Sequence, residues 1–422
     1  MNAPNPPPDG KEPIRKMLIF LAFVYVAEGL CQAGVGLVDQ PLSFYLKTAL
    51  GLGADQTARY LSILTIPWVI KPVFGLISDF IPILGYRRKS YLFLANGLAV
   101  LGYLWLTGLT EVTMIVTALM LTAVGMAVSS TVCGALMVET GKKYEASGHF
   151  VNQQWKWFYI AAFVSALGGG LLTQYLSPAT AFHTAALLVA VVPIGVMATC
   201  WTLVVEEKAE MNLGELKKSA GSLLATFKSK TLWLVGGFLF FFNFSPSFGT
   251  PLYYHMTDNL KFSQEFIGAL GALSSVGAVI GSFVYGYLAK RMTLRTLLNV
   301  SIVLGALTQA SFYFLNSAES AVILNLFSGV TAMLAVVSSL TLAADYCPDG
   351  SEGLAYALLM SVNNLAGQLS MNVGAHLYVH TFNNHLQPLI WVSAAVTLLG
   401  LGLVPLLGLG NKRPGERVKK DK

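Results

Sequence analysis

Few side chains in this chain could do chemistry, because ionisable and amide groups are sparse within its long apolar runs. Glu28 lies near the middle of the first run, Gln32 follows four residues later and Asp39 eleven residues later. On one continuous helix these three side chains would share a face. A carboxyl at this depth is costly to keep charged, so Glu28 could carry a proton. The alternative is a structural hydrogen bond to a neighbouring helix.

Lys71 lies in the second apolar run, eight residues before Asp79 and hence about 12 Å deeper along a helix. It precedes Pro72, whose missing amide hydrogen breaks the backbone hydrogen-bond ladder and exposes carbonyl groups. The ammonium could bind a substrate carboxylate or pair with Glu28. Equally, it could lock a helix kink or form a packing salt bridge.

Amide side chains form a second candidate set. Gln153 and Gln154 stand beside Trp155 at the start of the fifth run. In the seventh run, Asn243 stands just before the segment Ser245–Ser247 (SPS). Aromatic rings and amides together suit a flat heteroaromatic ligand, which they can stack on and hydrogen-bond at its edge. A tryptophan at the end of a run is as readily an anchor at the membrane interface.

The eleventh run carries a polar residue at every fourth position: Asn364, Gln368, Asn372, His376 and His380. Polar groups at membrane depth must face protein or water, so this stripe is predicted to line a cavity. Hydrogen bonding between helices is the alternative. The two histidines are expected near the exterior, and no metal site is predicted.

A motif begins at the end of the second run and continues into the loop after it: Gly75, Asp79, Gly85 and the basic triplet Arg87, Arg88 and Lys89. The glycine at 75 would let a neighbouring helix approach closely, and the aspartate would lie at a helix end beside the cationic loop. Charge pairs there could hold two helical bundles in one conformational state, as a gate would. The alternative is an ordinary basic loop that only orients a membrane protein.

The elements that must position these groups are membrane-spanning helices. Of the 422 residues 55% are apolar and 11% are charged, whereas average soluble proteins carry about 25% charged residues. A helix needs roughly 20 apolar residues to span a hydrocarbon core. Twelve such runs occur, at 17–38, 58–78, 91–109, 113–138, 155–176, 180–204, 231–254, 265–288, 296–315, 320–344, 354–379 and 387–409.

The basic residues predict the orientation. All but four of the 27 Lys and Arg residues fall in segments that would lie on one side of the membrane, the exceptions being Lys47, Arg59, Lys71 and Lys261. Such a bias predicts that both termini are cytoplasmic. The membrane is expected to be the cell (inner) membrane. The net charge of +6 therefore orients the chain and does not indicate nucleic-acid binding.

The longest connection between apolar runs divides them into two sets of six. The predicted organisation is a cytoplasmic tail at 1–16, a six-helix bundle at 17–204, a cytoplasmic loop with a surface helix at 205–230, a second six-helix bundle at 231–409 and a basic cytoplasmic tail at 410–422. Two bundles of six transmembrane helices are the plan of the major facilitator fold, an all-α membrane fold whose substrates bind between the halves near the midplane.

Seven longer segments of the chain carry distinctive motifs: Trp68–Asp79 (WVIKPVFGLISD), Gly85–Tyr91 (GYRRKSY), Gln153–Trp155 (QQW), Phe244–Ser247 (FSPS), Leu260–Gly268 (LKFSQEFIG), Cys347–Gly353 (CPDGSEG) and Ala357–Asn364 (ALLMSVNN). They resemble the folate–biopterin transporter family of the major facilitator superfamily. The resemblance covers most of the chain and implies a folate, a biopterin or a similar organic anion as substrate.

One segment departs from that family's pattern. Ser130 and Gly134 stand where the resemblance leads us to expect two aspartates, just before Ala135–Glu139 (ALMVE). The departure puts substrate or proton coupling through the fourth run in doubt. It keeps open an alternative, a muropeptide-permease-like major facilitator transporter of another solute class.

These features together predict a secondary active transporter that moves a small organic solute by alternating access. Its partners would be a small-molecule substrate, membrane lipids and, through Glu28, protons, and it would act as a monomer without a cofactor. The chain has no GxxxxGK[ST] loop and no HExxH or GxSxG motif, which argues against a primary pump and against a membrane enzyme. A receptor that does not transport is the remaining alternative.

Overall fold

The computed structural model describes residues 11–32, 34–144, 147–210, 214, 229–346 and 352–409. In these ranges the regular structure is helical, with an isolated β-bridge between Ile83 and Tyr86 and no strand. The prediction of an all-α protein is confirmed. The predicted surface helix, which rests on Leu213, Leu216, Leu223, Leu224 and Phe227, lies outside the described residues, and so does the tail at 410–422.

The chain divides into two compact units. Unit 1 comprises Met1–Leu50 and Ile63–Ser219, and unit 2 comprises Gly51–Ser62 and Ala220–Lys422. The later boundary falls inside the segment 205–230 that the sequence marks as the central loop. Gly51–Ser62, at the start of the second apolar run, belongs to unit 2 although its neighbours in sequence belong to unit 1.

Ten helices precede the central loop in the described residues: α1 (Lys11–Cys31), α2 (Asp39–Phe44), α3 (Ala54–Ile63), α4 (Ile66–Val69), α5 (Lys71–Phe80), α6 (Lys89–Leu106), α7 (Val112–Lys143), α8 (Ser147–Tyr175), α9 (Pro178–Ala190) and α10 (Val192–Leu203). A π-helical turn, Tyr45–Ala49, follows α2. Residues 11–16, predicted as part of a tail, are helical.

Seven described helices follow the loop: α11 (Lys230–Asn243), α12 (Gly249–Asp258), α13 (Gln264–Ala289), α14 (Leu294–Ser311), α15 (Ala318–Asp345), α16 (Glu352–His376) and α17 (Leu386–Leu399). A π-helical turn, Leu377–Thr381, extends α16, and short 3₁₀ turns follow α14 and α17.

Within the described residues, seven helical stretches are long and apolar enough to cross a membrane: Val112–Gly141, Gln153–Tyr175, Pro178–Leu203, Gln264–Ala289, Leu294–Phe314, Ala318–Asp345 and Leu386–Leu407. They agree closely with the predicted spans four to six, eight to ten and twelve. Spans one, three and eleven correspond to α1, α6 and α16. Spans two and seven correspond to the interrupted sets α3–α5 and α11–α12.

Hydroxyl side chains fix where five of these helices begin. The side chains accept a hydrogen bond from the backbone amide three residues later, in the manner of an N-cap. They are Ser177, Ser229, Ser263, Thr293 and Ser317. Each stands at the polar edge of an apolar run, so the sequence predicts these starts to within a few residues.

The predicted spans at 58–78 and 231–254 are each made of more than one helix. Span two breaks at residues 64–65 and again at Ile70, and span seven breaks at residues 244–248. Pro67 and Pro72 lie in the first turns of α4 and α5, and Pro246 lies within the second break. Proline has no amide hydrogen and clashes with the preceding turn, so it favours such interruptions.

The first span ends earlier than predicted. Helix α1 stops at Cys31 and Asp39 begins the separate helix α2, so the prediction that Glu28 and Asp39 share one helix face is wrong. Between the two helices Gly34 has φ 82°, a conformation that glycine adopts without strain. The Gly34 amide donates a hydrogen bond to the Asp39 carboxylate at 3.0 Å. Asp39 therefore closes a turn.

Glycines let helix backbones touch inside each unit. In unit 2, a Cβ at Gly329 of α15 would lie 2.0 Å from the Ser274 carbonyl oxygen of α13. In unit 1, a Cβ at Gly125 of α7 would lie 2.4 Å from the Ala95 carbonyl oxygen of α6. Helices in lipid associate largely through such close packing, because lipid is as apolar as the side chains.

Candidate functional site

Three helices of unit 1 bring ionisable and hydroxyl groups together. Glu28 lies three residues before the end of α1, Lys71 is the first residue of α5, and Ser130 lies within α7. The break at Ile70 makes Lys71 the start of a helix, which Pro72 in its first turn favours. The sequence predicted the depth of Lys71 but not that a hydroxyl on α7 would meet it.

Ser130 interacts with both Lys71 and Glu28. The Lys71 Nζ donates to Ser130 Oγ at 3.0 Å, and the Ser130 hydroxyl interacts electrostatically with the Glu28 carboxylate. The same ammonium lies 4.2 Å from the centre of the Trp68 ring, which is a cation–π distance. Among the described residues no carboxylate forms a direct ion pair with Lys71. The opposite charges therefore interact through a hydroxyl.

Two acceptor atoms of this cluster are buried without a hydrogen-bond partner in the described structure, Glu28 Oε2 and Gln32 Oε1. Glu28 is only 9% exposed. The backbone amide of Gln32 donates to the backbone carbonyl of Glu28 at 3.0 Å, so the two side chains lie one helical turn apart on the same face. Because a buried acceptor without a donor is costly, the arrangement is suited to receive donor hydrogens from outside the protein.

The two positions that depart from the family pattern, Ser130 and Gly134, have different surroundings in the structure. Ser130 contacts both members of the Glu28–Lys71 pair. A Cβ at Gly134 would meet no atom within 4 Å, so that position faces open space one turn further along α7. The fourth span thus contributes to the cluster through a hydroxyl where the family resemblance suggested a carboxylate.

Gln153 and Gln154 lie half-buried near the start of α8. Helix α8 packs directly on α1, since a Cβ at Gly29 would lie 2.6 Å from the Phe158 carbonyl oxygen. No hydrogen bond connects either glutamine to Glu28. Trp155 stacks on Tyr159 of its own helix, with ring centres 6.0 Å apart. The structure therefore brings this aromatic segment beside the helix that carries Glu28, without joining the amides to the cluster.

The amide residues of unit 2 are largely engaged with protein groups. Asn243 Nδ2 donates to Asn363 Oδ1 at 2.6 Å, and Gln368 Nε2 donates to the Ser62 carbonyl at 2.8 Å. Asn372 Nδ2 donates to the carbonyl of Gln368 at 3.1 Å. Asn364 is half-buried on the same helix. The Gln368 bond agrees with the hydrogen-bonding alternative for the stripe of the eleventh run, and its cavity-lining role stays a prediction.

The break in span seven is held by serines. The Ser370 hydroxyl donates to the Ser245 carbonyl and the Ser393 hydroxyl donates to the Pro246 carbonyl. The Ser247 amide donates to the Ser370 carbonyl at 3.1 Å. Non-helical backbone at membrane depth is tolerated only where protein or water satisfies its polar groups, and here side chains of α16 and α17 do so.

The family to which these features belong is decided by a match to the BT1 family model over residues 33–420. The chain belongs to the BT1 family. A "Folate-biopterin transporter" of Synechocystis sp. is 28% identical to it, with 98% of this chain and 85% of the relative covered. A "Putative folate transporter 2" of Plasmodium berghei is 25% identical, with 93% and 89% covered.

Solved structures give the fold of this BT1 protein. A crystal structure of a D-xylose-proton symporter superposes with a TM-score of 0.72 at 13% identity, covering 93% of this chain and 97% of that one. The fold is therefore that of the major facilitator transporters, as predicted from the two sets of six spans. This BT1 protein is an integral multi-pass membrane protein and a secondary transporter of a small organic solute, not an enzyme.

The loop motif of this BT1 protein centres on Arg88. Its Nη1 lies 2.6 Å from Asp79 Oδ1 and its Nη2 lies 2.5 Å from Glu139 Oε1, while Ser78 Oγ also accepts from Nη1. Burial disfavours the charge of this guanidinium, but hydrogen bonding and ion pairing with Glu139 and Asp79 outweigh burial and raise the pKa of Arg88. Asp79 and Glu139 therefore both pair with Arg88 inside unit 1, and the role of the motif as a gate stays a prediction.

The two glycines of the motif serve different purposes. A Cβ at Gly75 would meet only the Thr131 methyl group, at 3.6 Å, which is ordinary contact. The prediction that Gly75 permits a close helix approach is therefore wrong in this structure, because the neighbouring helix leaves room for a methyl group. Gly85 has φ 81°, so there the turn itself requires glycine.

Glu206 is a functional candidate that sequence reasoning missed. Its carboxylate accepts from the backbone amides of Arg87, Arg88 and Lys89 at 2.8–2.9 Å. These amides form the N-terminus of α6, where unpaired N–H groups attract an anion. The sequence gives little sign of this role, because Glu206 stands among Glu207, Lys208 and Glu210, and residue type alone does not distinguish it from them.

A second missed contact lies in unit 2. His380 Nε2 is 3.2 Å from Asp55 Oδ2, and the His376 and His380 rings lie 4.6 Å apart. The sequence suggested that both histidines belong to one end of span eleven. It gave no sign that the start of span two would reach them, because 325 residues separate Asp55 from His380.

Proposed function

We propose that this BT1 transporter carries a folate- or pteridine-like organic anion by alternating access, with proton coupling through Glu28. The observation that supports this most is Lys71, a cation at membrane depth that has no direct carboxylate partner among the described residues and lies over the Trp68 ring. Intramembrane cations of this kind commonly mark a substrate path. The names of the relatives supply the substrate class.

Coupling would run through the free oxygen of Glu28. Within the part of the chain that the structure describes, Glu28 Oε2 has no hydrogen-bond partner, so it can take either a proton or a donor group of the solute. Alternation between these two occupants would link protonation of the carboxyl to loading of the site. Gln32, Gln153, Gln154, Asn243, Asn364, Gln368 and Asn372 are proposed as further ligand-contacting groups.

The test is accumulation of labelled folate in proteoliposomes with and without an imposed pH gradient. We expect the wild type to accumulate folate in response to the gradient. Glu28→Gln should lose that response but keep folate exchange at saturating concentration, because a neutral amide still permits the loaded protein to change state. Asp39→Asn is the matched control, since Asp39 closes a turn outside the cluster. Equal gradient-driven accumulation by wild type and Glu28→Gln would disprove the coupling role.

We also propose an inner-membrane location with both termini cytoplasmic, supported by the basic-residue bias, and a monomeric working form. One chain already supplies the two units that alternating access requires. Light scattering of the detergent-solubilised protein tests the monomer, and a dimer mass would contradict it.

A further inference from the structure

We infer that Glu28, Gln32 and Lys71 recognise one particular edge of a pteridine ring, the edge that carries an oxo group and an exocyclic amino group on either side of a ring N–H. The inference rests on the proposed function, because it takes a pteridine-like solute as given. The inference adds which end of the solute enters unit 1 and which solute atoms hydrogen-bond to the protein.

The hydrogen-bonding capacity left over in the cluster defines the edge. Lys71 has three N–H donors, and Ser130 is the one hydrogen-bond acceptor that contacts it in the described structure. Glu28 Oε2 and Gln32 Oε1 lie on residues one helical turn apart and are buried acceptors that receive no donor in the described structure. Ser130 relates Lys71 to Glu28, so the cluster offers donors on the Lys71 side of Glu28 and a further acceptor one turn along, at Gln32.

A 2-amino-4-oxo pteridine presents the complementary order. Its 4-oxo group accepts from the Lys71 ammonium, and its ring N3–H donates to the Glu28 carboxylate. The two hydrogens of its 2-amino group then donate to Glu28 Oε2 and Gln32 Oε1. A 2,4-dioxo pteridine has the same ring shape and the same N3–H, but an acceptor oxygen replaces the amino group and faces the Glu28 carboxylate.

The arrangement also makes a proton and the solute competitors for one atom. A proton on Glu28 Oε2 would occupy the position that the 2-amino group needs. Ser130 keeps Glu28 and Lys71 in register for the edge, because one hydroxyl contacts both. Loading and protonation of Glu28 are then mutually exclusive, which is the alternation that the proposed coupling requires.

The experiment measures the affinities of the purified full-length protein for pterin (2-amino-4-oxopteridine) and lumazine (2,4-dioxopteridine) from ligand-induced thermal stabilisation. The readout is the ratio of the two affinities, which cancels a general loss of stability in a variant. The wild type should prefer pterin. Glu28→Gln replaces the free acceptor by an amide donor, so the preference should move toward lumazine by at least about tenfold, as expected when a buried polar partner is mismatched.

Two further variants complete the design. Gln32→Met removes one acceptor of the amino group, so it should also lower the pterin-to-lumazine ratio, and it stands in if Glu28→Gln does not fold. Ser165→Ala is the control. Ser165 of α8 donates to the carbonyl of Gly29 on α1, the helix that carries Glu28, so its loss should leave the ratio unchanged. A ratio that changes less than about threefold in both test variants overturns the assigned edge while the folate-like substrate class stands. Failure of folate, pterin and lumazine alike to stabilise the wild type overturns both.

Discussion

Ser130 connects Lys71 and Glu28 of unit 1, because its hydroxyl accepts from Lys71 and interacts with the Glu28 carboxylate. Removing the hydroxyl leaves buried groups unpaired, which costs about 1–3 kcal/mol. We expect Ser130→Ala to lower the free energy of unfolding by that amount and to slow folate transport by about tenfold, the equivalent of about 1.4 kcal/mol. Ser130→Thr keeps the hydroxyl and should retain most of the transport rate. Equal rates in wild type and Ser130→Ala would mean that the hydroxyl is incidental.

The residues of this cluster differ in how far the sequence could predict them. Glu28 and Lys71 stand out because a charge in an apolar run is costly, and that cost is visible without a structure. Ser130 does not stand out, because serine is common in transmembrane helices and only its neighbours in space give it a role. The same holds for Glu206, whose partners are backbone amides that no residue type announces.

At the scale of elements, the carboxylate of Glu206 caps α6. It accepts from three backbone amides at the helix start, and such capping interactions contribute about 0.5–2 kcal/mol. We expect Glu206→Ala to lower the free energy of unfolding by about 1–2 kcal/mol, measured by thermal or denaturant unfolding in detergent. The adjacent Glu207 is exposed, so Glu207→Ala is the matched control. A loss of the same size in both variants would show that general charge, rather than the cap, is responsible.

The interrupted span seven makes a second prediction about an element. A Cβ at Gly374 of α16 would lie on the Ser247 carbonyl oxygen, at 1.8 Å, whereas a Cβ at Gly367 of the same helix would meet nothing within 4 Å. We expect Gly374→Ala to force the break and α16 apart and to destabilise the protein by about 1–3 kcal/mol, as overpacking does. Gly367→Ala should be neutral or stabilise by about 0.5–1 kcal/mol, since alanine favours helix. Thermal unfolding of the two variants tests this prediction. A smaller loss of stability for Gly374→Ala than for Gly367→Ala would contradict the close packing at Gly374.

Element boundaries followed from the sequence where local chemistry sets them. Ser177 and Ser229 begin helices because a hydroxyl at the edge of an apolar run caps the first turn. The sequence predicted a broken hydrogen-bond ladder at Pro72 but not that a helix would end there, and it predicted no break at Pro246, because proline in a transmembrane span can kink a helix without ending it. Whether it ends one depends on partners elsewhere, such as the Ser393 hydroxyl that satisfies the freed Pro246 carbonyl.

At the scale of the whole molecule, the number of spans and their division into two sets of six followed from composition alone, because hydrocarbon thickness fixes the length of a run. The membership of Gly51–Ser62 in unit 2 could not be predicted from composition. It depends on tertiary contacts such as that of Tyr254, whose hydroxyl bonds both Thr57 at 2.8 Å and the Leu52 carbonyl at 2.7 Å. Contacts between residues about 200 positions apart leave no periodic pattern in a single sequence.

Orientation of the whole chain in the membrane is the prediction that tests the span count most directly. Twelve spans return the C-terminus to the side of the N-terminus, and the basic bias predicts that this side is the cytoplasm. A reporter that is active only in the periplasm should therefore give no signal when it is fused after Lys422. The same reporter inserted at Asn316, between spans nine and ten, should give a strong signal, because an odd number of spans precedes it. Both α11–α12 and α3–α5 must each count as one crossing for this result, since an extra or missing crossing in either would invert every later segment. A periplasmic signal after Lys422 together with silence at Asn316 would show that one interrupted span does not cross, and a signal at both sites would place the error after span nine.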